Sequence, residues 1–207
     1  MPVRIKICGL TRVENAVACV EAGADAIGLN FWPKSKRRCE LREAARIVGA
    51  IGDRARVVGV FVDASIEDIQ RVRATTGLAW AQLHGSEPED VLTSLLPCAY
   101  KALHVSDRAG VERARAFPGD ELLVDASLPG LPGGTGVACD WALASALARS
   151  RKLWLAGGLT PDNVADAVRA VQPHGVDVAS GVERAPGEKD LALVRAFVRA
   201  VCSVDPR

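Results

Sequence analysis

The chain has 207 residues, 49% of them apolar, which is material for a single core and fits one domain, residues 1–207. Lys and Arg number 26 against 25 Asp and Glu, and a net charge of +1 excludes a whole-molecule field that would hold nucleic acid or an anionic membrane. Any anionic ligand must therefore be bound locally. The opening Met-Pro-Val-Arg-Ile-Lys has no apolar signal region and no apolar run approaches the ~18 residues of a membrane span, so a cytoplasmic protein is expected.

Short β-branched or apolar runs alternate with longer amphipathic stretches along the chain, the pattern of repeated βα units around a parallel sheet. The first unit is predicted as a strand over Val3 to Cys8 and a helix over Val13 to Ala22, the second as Asp25 to Phe31 and Leu41 to Ala50. Val57 to Val62 with Ile66 to Thr75, and Ala79 to Leu83 with Pro88 to Leu96, follow. The second half reads as Tyr100 to His104 with Arg108 to Ala116, and Glu121 to Asp125 with Trp141 to Ala148. It closes with Lys152 to Ala156 and Pro161 to Val171, then Val176 to Ala179 and Lys189 to Val201. Thr11, three residues before Glu14, and Thr160-Pro161-Asp162 are read as helix starts. Leu128 to Gly134 marks a long loop after the sixth strand.

Eight such units form a single-domain α/β (β/α)8 TIM barrel, although an open doubly wound sheet uses the same alternation. The distribution of chemistry favours the barrel, where reactive residues gather at the C-terminal ends of strands. Cys8-Gly9, Asn30-Phe31, Asp63, His84-Gly85, Asp125, Gly157-Gly158 and Ser180-Gly181 all fall there.

Alternation in the first strand puts Arg4, Lys6 and Cys8 on one face, toward the barrel interior. A cysteine is most often an inert buried thiol, but one at a strand mouth, a layer above a lysine that can favour thiolate, is a credible base or nucleophile. Asp125 ends the sixth strand at an equivalent level; an isolated Asp there would cap backbone amides, whereas Asp and thiol together can divide the two proton transfers of an isomerisation. Gly133-Gly134-Thr135-Gly136, Gly157-Gly158-Leu159 and Ser180-Gly181-Val182 follow the sixth to eighth strands. Singly they read as tight turns, and together as a phosphate site built from backbone amides, with Gly134, Thr135, Gly136, Gly157, Gly158, Ser180 and Gly181 as its candidates. Pro33 to Arg38 is a basic rim loop, either merely solvated or offering an arginine to a substrate carboxylate. Gln82 and His84 close the fourth strand and are assigned to the substrate-binding side, His84 as a positioning residue at most. Six cysteines without a Cys-x-x-Cys pair and three histidines without ligand spacing predict neither disulfide framework nor metal site.

Taken in order, these segments resemble the phosphoribosylanthranilate isomerase family of tryptophan biosynthesis. The likeness runs through Lys6-Ile7-Cys8-Gly9-Leu10-Thr11, Gly23 to Gly28, Phe31 to Arg37, Val58 to Val62 and Gln82-Leu83-His84-Gly85. It continues at Asp125, Gly133 to Gly136, Gly157-Gly158-Leu159 and Val176 to Glu183. The resemblance implies Cys8 as general base, Asp125 as general acid, Arg37 as partner of the anthranilate carboxylate, and the glycine loops as holders of the phosphate. It departs from the family pattern at Val137, where a lysine is common. The implied reaction is an Amadori rearrangement of a small phosphorylated substrate, with no cofactor, no nucleic acid and no membrane, by a monomer or homodimer. A related barrel isomerase of histidine biosynthesis is the alternative within the same chemistry, expected to carry an aspartate at position 8 and a second phosphate loop. A non-catalytic phosphate-binding barrel is the alternative outside it.

Overall fold

The computed structural model describes residues 2–125 and 141–204. Its strands are β1 Arg4–Cys8, β2 Ala26–Asn30, β3 Arg56–Phe61, β4 Trp80–Leu83, β5 Ala99–Leu103, β6 Glu121–Asp125, β7 Lys152–Ala156 and β8 Gly175–Val178. They pair in parallel in sequence order, and β8 returns to β1 with Arg4 opposite Gly175 and Lys6 opposite Asp177, closing the barrel. The helices are α1 Val13–Glu21, α2 Leu41–Ile51, α3 Ile66–Thr76, α4 Glu89–Leu95, α5 Arg108–Ala116, α6 Trp141–Ala148, α7 Val164–Val171 and α8 Leu191–Val204. No described helix is long and apolar enough to cross a membrane.

Period-two alternation sorts the core into two parts. Ile5, Ile7, Ile27, Leu29, Leu122, Val124, Leu153 and Leu155 point outward, under helix faces such as Ala44, Ile47 and Ile51 of α2 or Val164, Ala167, Val168 and Val171 of α7. Ala26, Val58, Tyr100, Ala102, Leu123, Trp154 and Ala156 form a separate inner cluster. Its N-terminal end is closed by Glu121, which accepts hydrogen bonds from Arg56 at 2.8 and 3.0 Å and from Trp154 Nε1 at 2.8 Å. The Arg56 guanidinium also lies 3.8 Å from the ring centre of Trp80. With that end filled, the C-terminal mouth is the open end of the barrel among the described residues.

Three local expectations change. Thr11 does not cap α1: Arg12 is the N-cap residue without a side-chain hydrogen bond, and Thr11 Oγ1 instead donates to the carbonyl of Gly187 at 3.0 Å. The α1 amide of Val13 is met by Glu43 Oε1 of α2 at 3.0 Å, so tertiary contact replaces the local cap. Pro161 lies in a turn ahead of α7, because Asn163 Oδ1 accepts from the Thr160 amide at 2.8 Å and delays the helix to Val164. Lys189 does not open the last helix; it pairs in a short antiparallel hairpin, β9 Glu183–Ala185 with β10 Glu188–Lys189, and α8 starts at Leu191.

Candidate active site

The C-terminal mouth holds a cavity of about 560 Å³ lined by Cys8, Arg37, Gln82, His84, Asp125, Gly157, Gly158, Asp177 and Ser180, with Asn30 and Trp32 among its walls. Residues from β1, β4, β6 and β8 and from the loops after β2 and β7 therefore meet in one space. Gly134, Thr135 and Gly136 lie outside the described residues.

Cys8 ends β1 opposite Gly28 of β2, and a Cβ at position 28 would stand 2.6 Å from Cys8 Sγ. Glycine is what makes room for the thiol. Beneath it Lys6 is fully buried, its Nζ donating to Asp177 Oδ2 at 2.8 Å and Gln82 Oε1 at 2.9 Å. Burial works against the Lys6 charge, but Asp177 and its hydrogen bond more than offset this and hold the ammonium well above its ordinary value. Burial pushes the Cys8 thiol up, and Lys6 and Lys189 only partly pull it back. The expectation that Lys6 favours thiolate is thus right in sign and outweighed by desolvation. Burial also raises Cys19 to about 11 and Cys39 to about 12; neither lines the cavity.

A hydrogen-bond chain runs from this pair toward Asp125. Gln82 Oε1 accepts from both Lys6 and, at 3.0 Å, Tyr100 Oη, so its amide nitrogen is left to donate to His84 Nδ1 at 2.8 Å. Burial lowers the His84 pKa, and the neutral ring then carries its proton on Nε2, 3.9 Å from Asp125 Oδ2. Gln82 and His84 lie between the two proton-transfer candidates, with His84 oriented by Gln82. The loop carrying His84 is tied down by Glu87, which accepts from the Gly85 and Asp63 amides at 2.9 and 2.8 Å and pairs with buried Lys101 at 2.6 Å.

Arg37 reaches the rim, where Glu183 takes Nε at 2.9 Å and Nη2 at 2.7 Å. That leaves the end-on edge, Nη1 and the second Nη2 hydrogen, for an incoming carboxylate. Lys189 also donates to Glu183 at 2.8 Å, so two cations face one anion before any ligand arrives. Gly157 and Gly158 have φ of 96° and 63°, with nothing within 4 Å of where a Gly158 Cβ would point. Gly181 does not line the cavity; a Cβ there would fall 1.9 Å from the Leu159 carbonyl oxygen, so its glycine is required by packing between the loops after β7 and β8.

Asp177, Glu183, Lys189 and Tyr100 were not singled out by sequence reasoning. For Asp177 a signal existed, a carboxylate inside the apolar run Val176 to Val178.

The family model described as N-(5'phosphoribosyl)anthranilate (PRA) isomerase matches residues 5–200. The N-(5'-phosphoribosyl)anthranilate isomerase of Myxococcus xanthus is 48% identical over 210 residues, covering 99% of both chains. Among solved structures, phosphoribosyl anthranilate isomerase from Thermotoga maritima superposes with a TM-score of 0.88 at 40% identity, covering 97% of this chain and 99% of the other. A further phosphoribosyl anthranilate isomerase structure, in complex with reduced 1-(o-carboxyphenylamino)-1-deoxyribulose 5-phosphate, has a TM-score of 0.85 at 38% identity over the same shares. With this sequence likeness along nearly its whole length and a closed eight-stranded barrel, the chain belongs to the N-(5'-phosphoribosyl)anthranilate isomerase family.

Proposed function

We propose that Cys8 and Asp125 are the general base and general acid of the family reaction in this chain, with Arg37 binding the carboxylate and the glycine loops the phosphate. The reaction is the isomerase step of tryptophan biosynthesis, converting N-(5'-phosphoribosyl)anthranilate to 1-(2-carboxyphenylamino)-1-deoxyribulose 5-phosphate. Asp125, protonated, donates to the furanose ring oxygen as the aryl nitrogen pushes the ring open to an imine. Cys8 as thiolate removes the proton on sugar C2, giving an enolamine that tautomerises to the ketone, the aryl nitrogen serving as electron sink. The cationic imine forms beside the thiol and supplies the positive charge that resting Cys8 lacks against its burial.

The observation that carries this reading is the meeting of Cys8, Asp125, Arg37 and the Gly157-Gly158 and Ser180 loops in one cavity. For the phosphate, the amides of Gly134 to Gly136, Gly157 to Gly158 and Ser180 are the donors in this reading, with Gly181 seating the last loop against Leu159. A Gly158→Val chain should then raise the Michaelis constant and weaken inhibition by inorganic phosphate. The active form in this reading is a monomer or a homodimer. The described cysteines are all free thiols, in keeping with catalysis in the reducing cytoplasm. Loss of the substrate's anthranilate-type fluorescence on adding purified protein tests the activity. Decay that persists unchanged in both Cys8→Ser and Asp125→Asn would overturn the assignment.

A further inference from the structure

Asp177 is only half used by its surroundings. Oδ2 accepts from Lys6 at 2.8 Å, whereas Oδ1 is buried and has no hydrogen-bond partner among the described residues. The side chain is 8% exposed, and it lines the catalytic cavity. A carboxylate oxygen taken out of water without a donor is costly, so its retention beside a ligand space points to a ligand that brings the donor.

The position narrows which donor that is. Asp177 lies opposite Lys6 across the β1–β8 seam, and Cys8 is two residues beyond Lys6 on the same inward face, so the carboxylate sits one layer beneath the thiol. An ionised carboxylate can only accept, and the phosphate and carboxylate ends of the substrate are anions that cannot donate. What the substrate brings close to the thiol is the carbon that the thiol deprotonates, and that carbon bears a hydroxyl. We infer that Asp177 Oδ1 accepts a hydrogen bond from the C2 hydroxyl of the opened sugar, which turns the C2 hydrogen toward Cys8. The inference rests on the proposed roles of Cys8 and Asp125. Lys6 is then the residue that holds Asp177 in place, its other bond, to Gln82, tying the acceptor to the His84 side of the site.

The test compares two ligands on the intact protein: reduced 1-(o-carboxyphenylamino)-1-deoxyribulose 5-phosphate, which keeps a C2 hydroxyl, and its counterpart lacking that hydroxyl. The wild type should bind the hydroxylated ligand about tenfold or more tightly, as expected of a hydrogen bond to a charged group. Asp177→Asn keeps the side-chain size and an oxygen for Lys6. It should bring the two affinities to within about twofold by weakening only the hydroxylated ligand, and lower kcat. Equal affinities in the wild type would overturn the inference without requiring any variant to fold, as would full discrimination retained by Asp177→Asn. Substrate turnover by the wild type without ligand discrimination would sink this inference alone; neither turnover nor binding of either ligand would sink the proposed function with it.

Discussion

At Cys8 the packing sets both the position and the state of the thiol. Burial holds it protonated at rest, so kcat/KM should climb as pH rises above neutrality, along a limb that disappears in Cys8→Ser. A flat profile for the wild type across that range would contradict a thiolate base. The same packing makes Gly28 a sharp probe, since a Cβ there would overlap Cys8 Sγ at 2.6 Å. Gly28→Ala should reduce kcat by roughly 10- to 100-fold through misplacement of the base, with a destabilisation of about 1–3 kcal/mol from overpacking. Unchanged kcat in a folded Gly28→Ala chain would show that the thiol's location is not critical. Cys8 and Asp125 were legible in the sequence because their strand-end positions follow from periodicity alone. Asp177 was not, because its meaning depends on β8 closing onto β1, a contact 171 residues away in the chain.

At the rim, the residue placed on the cavity was legible while the element that holds it was not. Arg37 lies in the basic Pro33 to Arg38 loop and was singled out by the family resemblance, but the β9–β10 hairpin that grips it has only five strand residues and no hydrophobic period to read. Lys189 consequently looked like the start of α8, when its buried amine in fact serves Glu183 and the Ala179 carbonyl at 2.8 and 3.0 Å. Glu183 fixes which edge of Arg37 faces the cavity. Arg37→Lys should therefore raise KM about tenfold for the carboxylated substrate while sparing a decarboxylated aniline analogue, because lysine has no fork to present. Glu183→Gln should move KM in the same direction by loosening that edge. Equal effects on both substrates, measured by steady-state kinetics, would remove Arg37 from carboxylate recognition.

Across the whole barrel, the two ends do different work. The N-terminal end is packed with Arg56, Trp80, Glu121 and Trp154, and the C-terminal end is open and lined by the proposed proton-transfer groups. Burial opposes the Glu121 charge, but Arg56 and Trp154 outweigh it and leave the carboxyl below its ordinary 4.5; the Arg37 and Lys189 partners do the same for Glu183. A depressed carboxyl stabilises the fold above its unfolded value and loses that contribution as pH falls through the folded one. Thermal melts should therefore fall steeply below about pH 4.5, and less steeply in Glu121→Gln; identical acid limbs would exclude Glu121 as a contributor. The barrel form was legible from eight alternations taken with reactive residues at the strand ends, while the ionic packing of its floor was not, since Arg56 and Glu121 lie 65 residues apart. In the proposed mechanism the open end removes a proton from sugar C2, and single-turnover rates with substrate deuterated at C2 test that most directly. Deuterium should slow Cys8→Ser severalfold and matter far less in Asp125→Asn, where ring opening limits the rate. Full activity in Cys8→Ser, or a large isotope effect confined to Asp125→Asn, would contradict it.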